Sequence, residues 1–190
     1  MNKLILCDVD DTLLFCANIL EEFAIKRLGT PSLRRLRDNY HVYKIFDISV
    51  ETAEEICQEF WKSELFFNLP PMPCAKAVLP HLYDQGYRFV AISACENNPI
   101  VKANRLRNLE NAFGFKWEDL YCTHGSEKAI PLAKYDPTIW VEDHWLNCQT
   151  GAKLGHKSFL IKQGYNVADP EEPLFTRVND WYDIHQYITR

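Results

Sequence analysis

The chain has 190 residues, 47% of them hydrophobic, which is enough for one sizeable core and too few for two ordinary large domains. Twenty-one Lys+Arg against 26 Asp+Glu leave a formal net charge of -5, so no stable nucleic-acid complex is expected. The chain lacks an apolar run of the roughly 18 residues a membrane span needs, and its first apolar run meets Asp8 too soon for a secretory leader.

In chain order, Leu4-Ile5-Leu6-Cys7 is a continuous apolar run, expected of a strand covered on both faces. Residues 15–28 place Phe15, Ile19 and Phe23 on a helical stripe that Gly29-Thr30-Pro31 stops. A second helix is predicted over Glu51 to Trp61. Asn68-Leu69-Pro70-Pro71-Met72-Pro73 is poor in N–H donors and marks a boundary or hinge. Beyond it the pattern alternates. A helix over 75–85 is stopped by Gly86, and a strand follows over Arg88 to Ser93. A helix opens at Asn98-Pro99 and reaches about Phe113. A weak strand is expected over 119–122, a helix capped by Ser126 over 126–134, strands over 138–142 and 158–161, and a short helix near 180–187.

Apolar strands separated by helices predict an α/β fold, a parallel sheet with helices on both faces. The segment between strand one and Pro73 is then an insertion at the carboxyl end of that strand, where such sheets bind ligands. The seven cysteines are odd in number and form no Cys-x-x-Cys pair, which suits reduced thiols and a cytoplasmic setting.

Asp8 and Asp10 lie two apart at the end of the first strand, and Glu142-Asp143 closes the strand over 138–141. If those strands are neighbours, carboxylates converge at one end of the sheet and repel one another unless a hard divalent ion sits among them.

Asp8-Val9-Asp10-Asp11-Thr12-Leu13 resembles the first motif of the haloacid-dehalogenase-like (HAD) hydrolases, and Ser93, Lys128 and Glu142-Asp143 resemble its second, third and fourth in order. The resemblance implies a Rossmann-like core of residues 1–14 and 74–190 with a helical cap inserted over 15–73. It also implies magnesium (Mg2+) as cofactor and phosphomonoester hydrolysis through an aspartyl-phosphate. Asp8 would be the nucleophile and Asp10 the general acid/base with its carbonyl on the metal. Ser93, with Ala94, would hold phosphate oxygens, and Lys128 would neutralise charge on nucleophile and phosphate. Asp143 would bind the metal, with Glu142 as a direct ligand or on a metal-bound water. Lys134 is the rival to Lys128. Thr12 is read chiefly as the cap of a helix beginning near Leu13, and Asn147 as a residue orienting Asp143 or a metal-bound water.

Leu69-Pro70-Pro71-Met72-Pro73-Cys74-Ala75, Tyr165-Asn166 and Arg177-Val178-Asn179-Asp180-Trp181 are similar to segments of the 5'-nucleotidase and 5'(3')-deoxyribonucleotidase branch. That likeness implies a nucleoside monophosphate as substrate, handled by a monomer or homodimer. Asp11-Thr12 stands where that branch has Gly-Val, and Ala94 follows Ser93 where deoxyribonucleotidases have Thr-Ser. A phosphosugar, another small metabolite or a polynucleotide 3' end are the alternative substrates, and a non-catalytic phosphoaspartate module is the alternative class. In the insertion, Phe15, Tyr40, Tyr43, Phe46, Trp61, Phe66 and Phe67 divide between core and pocket, while Arg34, Arg35 and Arg37 suit a solvated face.

Overall fold

The computed structural model describes residues 3–125 and 127–189, with the Arg37 side chain also outside the described set. Among these described residues six strands form one sheet in the order β3-β2-β1-β4-β5-β6, and every neighbouring pair is parallel. β1 (Leu4–Cys7) is central, flanked by β2 (Arg88–Ser93) and β4 (Ile139–Glu142). β3 (Asp119–Cys122) forms one edge, and β5 (Lys157–Ile161) followed by β6 (Thr176–Val178) the other. Strand order reverses at β1, so the carboxyl ends of β1, β2 and β4 open a crevice at the switch point. The unbroken apolar strand sequences reflect burial on both faces: Ile5, Leu6 and Cys7 are fully buried, as are Phe89, Ala91 and Ile92.

The insertion after β1 carries α1 (Ala17–Leu28), α2 (Val42–Phe46), α3 (Val50–Trp61) and α4 (Glu64–Phe67). α1 ends at Gly29, whose φ of 67° is the left-handed geometry that glycine adopts without strain. Its start is two residues later than the apolar stripe suggests, because the Asp11 carboxylate caps it, accepting from the N–H groups of Cys16 (2.9 Å) and Ala17 (3.1 Å). The expected cap, Thr12, is engaged elsewhere. Ala17, Ala24, Ile45, Phe46, Ala53 and Ile56 form an apolar cluster belonging to the insertion, whereas Phe60 and Phe66 pack into the core over the sheet. Glu21, buried on α1, accepts from Leu36 N–H (2.8 Å) and Ser32 Oγ (2.9 Å) and pairs with Arg35 at 3.5 Å, tying down the basic loop.

The two chain passages joining insertion to sheet lie side by side. Phe15 N–H donates to Pro70 O (2.9 Å) and Met72 N–H to Leu13 O (2.8 Å), so the proline-rich boundary is half of a short antiparallel ribbon.

α5 (Pro73–Asp84), α6 (Pro99–Phe113) and α9 (Trp181–Ile188) follow their expected positions, with Asn98 and Asp180 capping the last two. α7 (Ala129–Leu132) is much shorter than the helix predicted over 126–134. Lys134 and Tyr135 already bond back to Pro131 and Leu132 in turn geometry as the chain heads for Pro137 and β4, and the expected cap Ser126 lies outside the described residues. α8 (Trp145–Lys153) has no counterpart in the sequence reading. Among the described residues no helix is long and apolar enough to cross a membrane.

Gly151 lets α8 approach β4. A Cβ there would overlap Trp140 Cδ1 and lie 3.0 Å from Cγ and Nε1 of the same fully buried indole. Gly151→Ala gains helix propensity yet overpacks this contact, so it is expected to destabilise by about 1–3 kcal/mol. Urea unfolding should show a lower midpoint at unchanged slope; an unaltered or higher midpoint would show that the indole moves aside freely.

Candidate active site

Asp8 continues β1 by donating its N–H to Val141 O (2.8 Å), which sets its side chain beside the end of β4. There the carboxylate oxygens of Asp8, Glu142 and Asp143 lie within 4.8 Å of one another, all three residues buried. Lys128, 2% exposed, reaches in from the turn before α7 and donates to Asp8 Oδ1 and to Glu142 Oε2, the latter at 2.9 Å. Glu142 Oε1 accepts from the N–H groups of Asp143 (3.1 Å) and His144 (3.0 Å), so one carboxylate fixes both the lysine and the backbone turn. The rival Lys134 is exposed, with its ammonium over the Tyr121 ring.

Three buried carboxylates facing one ammonium leave an excess of negative charge, and the ionisation of the groups responds. Burial, then Glu142, push Asp8 up to about 6 against the pull of Lys128. Asp143 is driven well above the carboxylate range by burial, then by Asp8 and Glu142. Burial alone would lower the Lys128 pKa, but Asp8 and Glu142 reverse that and hold it above its ordinary value. Hard oxygen donors with surplus charge suit a hard divalent cation such as magnesium, and Asp8, Glu142 and Asp143 each offer an oxygen that could hold one.

Asp143 is gripped from two sides. Thr12 Oγ1 donates to Oδ1 (2.8 Å), the Tyr165 hydroxyl donates to Oδ2, and Asn166 Nδ2 donates to the Asp143 carbonyl (2.7 Å). Asn147, expected to orient Asp143, shares no hydrogen bond with it. It sits in the first turn of α8 and meets Trp140 Nε1 through its own carbonyl (3.2 Å). The orienting groups come instead from the Thr12 turn and from the loop after β5, whose Tyr165-Asn166 pair carried no assigned role in the sequence.

Asp10 stands outside the trio of acids. Its Oδ2 accepts from Ser93 Oγ (3.1 Å), and its Oδ1 from Arg105 of α6, a residue that the motif pattern does not mark. Ser93 closes β2 and also accepts from Cys95 N–H (3.3 Å). Ala94 lines the adjoining cavity, as do Asp8, Asp10, Lys128, Glu142 and Asp143.

This cavity, about 620 Å³, lies between the acids and the insertion. Tyr40, Tyr43 and Trp61 line it, whereas Phe46 and Phe66 are core residues. From α3 the residues Val50, Ala53, Glu54, Cys57, Gln58 and Trp61 face it at helical spacing. Among the described residues of its wall, Lys128 supplies the only ammonium or guanidinium group. His144, at the start of α8, stacks on Tyr40 with ring centroids 4.5 Å apart.

Asp143→Asn tests the charge balance. A carboxyl whose folded pKa is raised costs stability as pH climbs from its unfolded value through its folded one. At pH 7.5 in EDTA the variant is therefore expected to melt higher than the parent, and added magnesium is expected to raise the Tm of the parent but not that of the variant. A lower Tm in EDTA would show that the hydrogen bonds to Asp143 outweigh the repulsion.

The sequence matches no known family model and no curated protein. Solved structures do share the architecture. A predicted phosphatase from Clostridium acetobutylicum aligns at TM-score 0.69 and 15% identity over 98% of this chain and 97% of its own. CbbY from Rhodobacter sphaeroides, in complex with phosphate, aligns at 0.64 and 13% over 97% and 96%. The L-2-haloacid dehalogenase PA0810 aligns at 0.57 and 18% over 97% and 98%. What these structures share with the chain is the fold, a parallel sheet with a helical insertion after its first strand.

Proposed function

We propose that the protein is a magnesium-dependent phosphomonoesterase that acts through an aspartyl-phosphate on Asp8, with a nucleoside monophosphate as substrate. The observation that carries the chemistry is the meeting of Asp8, Glu142 and Asp143 within 4.8 Å at the floor of a cavity, with Lys128 on Asp8. Residues 1–14 and 74–190 are the catalytic core in this reading, and 15–73 the cap.

Held by Asp8, Asp143 and the Asp10 carbonyl, magnesium would supply positive charge to the phosphoryl oxygens. Lys128 adds a second positive charge, so an anionic nucleophile can approach an anionic ester. An Asp8 oxygen forms a bond to phosphorus in line with the departing oxygen. The ester P–O bond breaks, its electron pair stays on the alcohol oxygen, and Asp10 supplies that oxygen with a proton. Water then attacks phosphorus, Asp10 takes a proton from it, and the Asp8 carboxylate leaves as inorganic phosphate forms. The Ser93 hydroxyl, two residues from the Cys95 N–H it accepts, turns from Asp10 to a phosphate oxygen when substrate is present. Asp10 also separates this reading from halide release, in which no alkoxide needs a proton.

The cavity supports the choice of substrate. Its volume suits a ligand of nucleotide size, and Tyr40, Tyr43 and Trp61 offer faces on which a base stacks. With Lys128 committed to the reacting phosphate, the described wall has no further ammonium or guanidinium group for a second one. Nucleoside monophosphates are expected to exceed the matching diphosphates by roughly 10-fold or more in kcat/KM, and Asp8→Asn to lower kcat by on the order of 10³-fold or more. A phosphomonoester panel with magnesium and with EDTA checks both. Turnover of sugar phosphates alone would replace the substrate, and metal-independent turnover surviving in Asp8→Asn would overturn the mechanism.

A further inference from the structure

Arg105 is the seventh residue of α6 and its side chain is 0% exposed. Its Nη2 donates to Asp10 Oδ1, while Nε and Nη1 have no hydrogen-bond partner among the described residues. The guanidinium carbon lies 3.7 Å from the centroid of the Phe66 ring, and Phe66, fully buried, belongs to α4 at the end of the insertion. One turn along α6, Asn108 Nδ2 donates to Leu69 O (3.0 Å) in the passage that returns from the insertion to the sheet. α6 therefore holds Asp10 with one side chain and the return passage with another.

A buried guanidinium with two idle nitrogens is an expensive way to fill space, and an apolar residue of similar volume commonly serves stability as well or better. What Arg105 provides that an apolar side chain cannot is a fixed direction for the Asp10 carboxylate. With Ser93 on the other oxygen, the carboxylate is held at both ends. When Ser93 turns to the phosphate, Arg105 stays on Oδ1, the cationic partner beside the neutral thiol of Cys16.

We propose that Arg105 is the positioning residue for Asp10: clamped between Phe66 and the carboxylate, it keeps Asp10 aimed at the departing oxygen while Ser93 changes partner. This inference rests on the phosphomonoesterase reading above and extends it to a residue outside the four motifs. Arg105 touches neither substrate nor metal in this scheme. Its contribution is confined to Asp10, to the proton it delivers to the departing oxygen and the one it later takes from water.

The test uses that confinement. An alkyl phosphate needs a proton on its departing oxygen, whereas p-nitrophenyl phosphate releases a phenolate that is stable without one. kcat/KM reports the steps up to phosphoryl transfer to Asp8, so it isolates this step from hydrolysis of the intermediate. Arg105→Met is expected to lower kcat/KM by about 10²–10³-fold on the alkyl ester and less than about 10-fold on p-nitrophenyl phosphate, with magnesium affinity unchanged. Arg105→Lys, which keeps the charge without the planar fork, should lie between parent and Met on the alkyl ester, and carries the test if the Met variant does not fold. Asp10→Asn provides the reference pattern. Equal losses on both esters, or full activity in both variants, would overturn the role of Arg105 and leave the phosphatase reading standing. A parent without magnesium-dependent turnover of either ester would overturn both.

Discussion

Everything in this molecule is arranged around negative charge that cannot disperse. The end of β1 and the end of β4 are neighbours, each delivers acid to the same buried place, and one ammonium is lodged between them. In an apolar interior like charges at such separations interact far more strongly than in water. The protein meets the excess with Lys128, with hydroxyl donors from Thr12 and Tyr165, and with the upward shift of Asp8 and Asp143. Each response still leaves surplus charge, and an ion of charge two is the complement that the remaining oxygens describe.

The sheet is what makes that concentration reproducible. Parallel pairing of β1 with β4 in the register Cys7 to Val141 brings residues 8 and 142–143 abreast without further adjustment. Parallel pairing of β1 with β2 does the same for Ser93 and the turn at Asp10. Loop residues alone would have to be ordered at considerable entropic expense; here Asp8, Ser93, Glu142 and Asp143 each lie at the end of a strand or one residue beyond it, and the core sets the strand's position. The less regular contributors, Lys128 and Tyr165, arrive from turns that are tied to the acids themselves.

Much of this was legible from sequence because the strong signals are local. A buried parallel strand reads as an unbroken apolar run, and an acid at its end interrupts that run visibly, which is why Leu4–Cys7 and Ile139–Glu142 and their acids were found together. The misses have non-local causes. α8 contains Gly151, which lowers helix propensity, and the reason for it is the Trp140 ring packed beneath it. Thr12 follows Asp11 closely enough that either fits as a helix cap, and only the arrival of Asp143 from residue 143 decides between them. Arg105 lies 95 residues from Asp10 in a helix of mixed character, and nothing in its neighbourhood along the chain distinguishes it from Arg107. Tyr165 is another distant partner, visible only once β5 has been laid beside β4.

The ribbon formed by Leu13–Phe15 and Pro70–Met72 has an architectural corollary. Pro70 and Pro71 contribute no amide hydrogens, so that margin of the ribbon offers little to a third strand and the joint stays two passages wide. A neck this slim lets the outer helices be lengthened or shortened while the acid cluster keeps its register. The helical wall of the cavity and the acid cluster at its floor thus belong to separable stretches of one chain, free to change at different speeds over evolution.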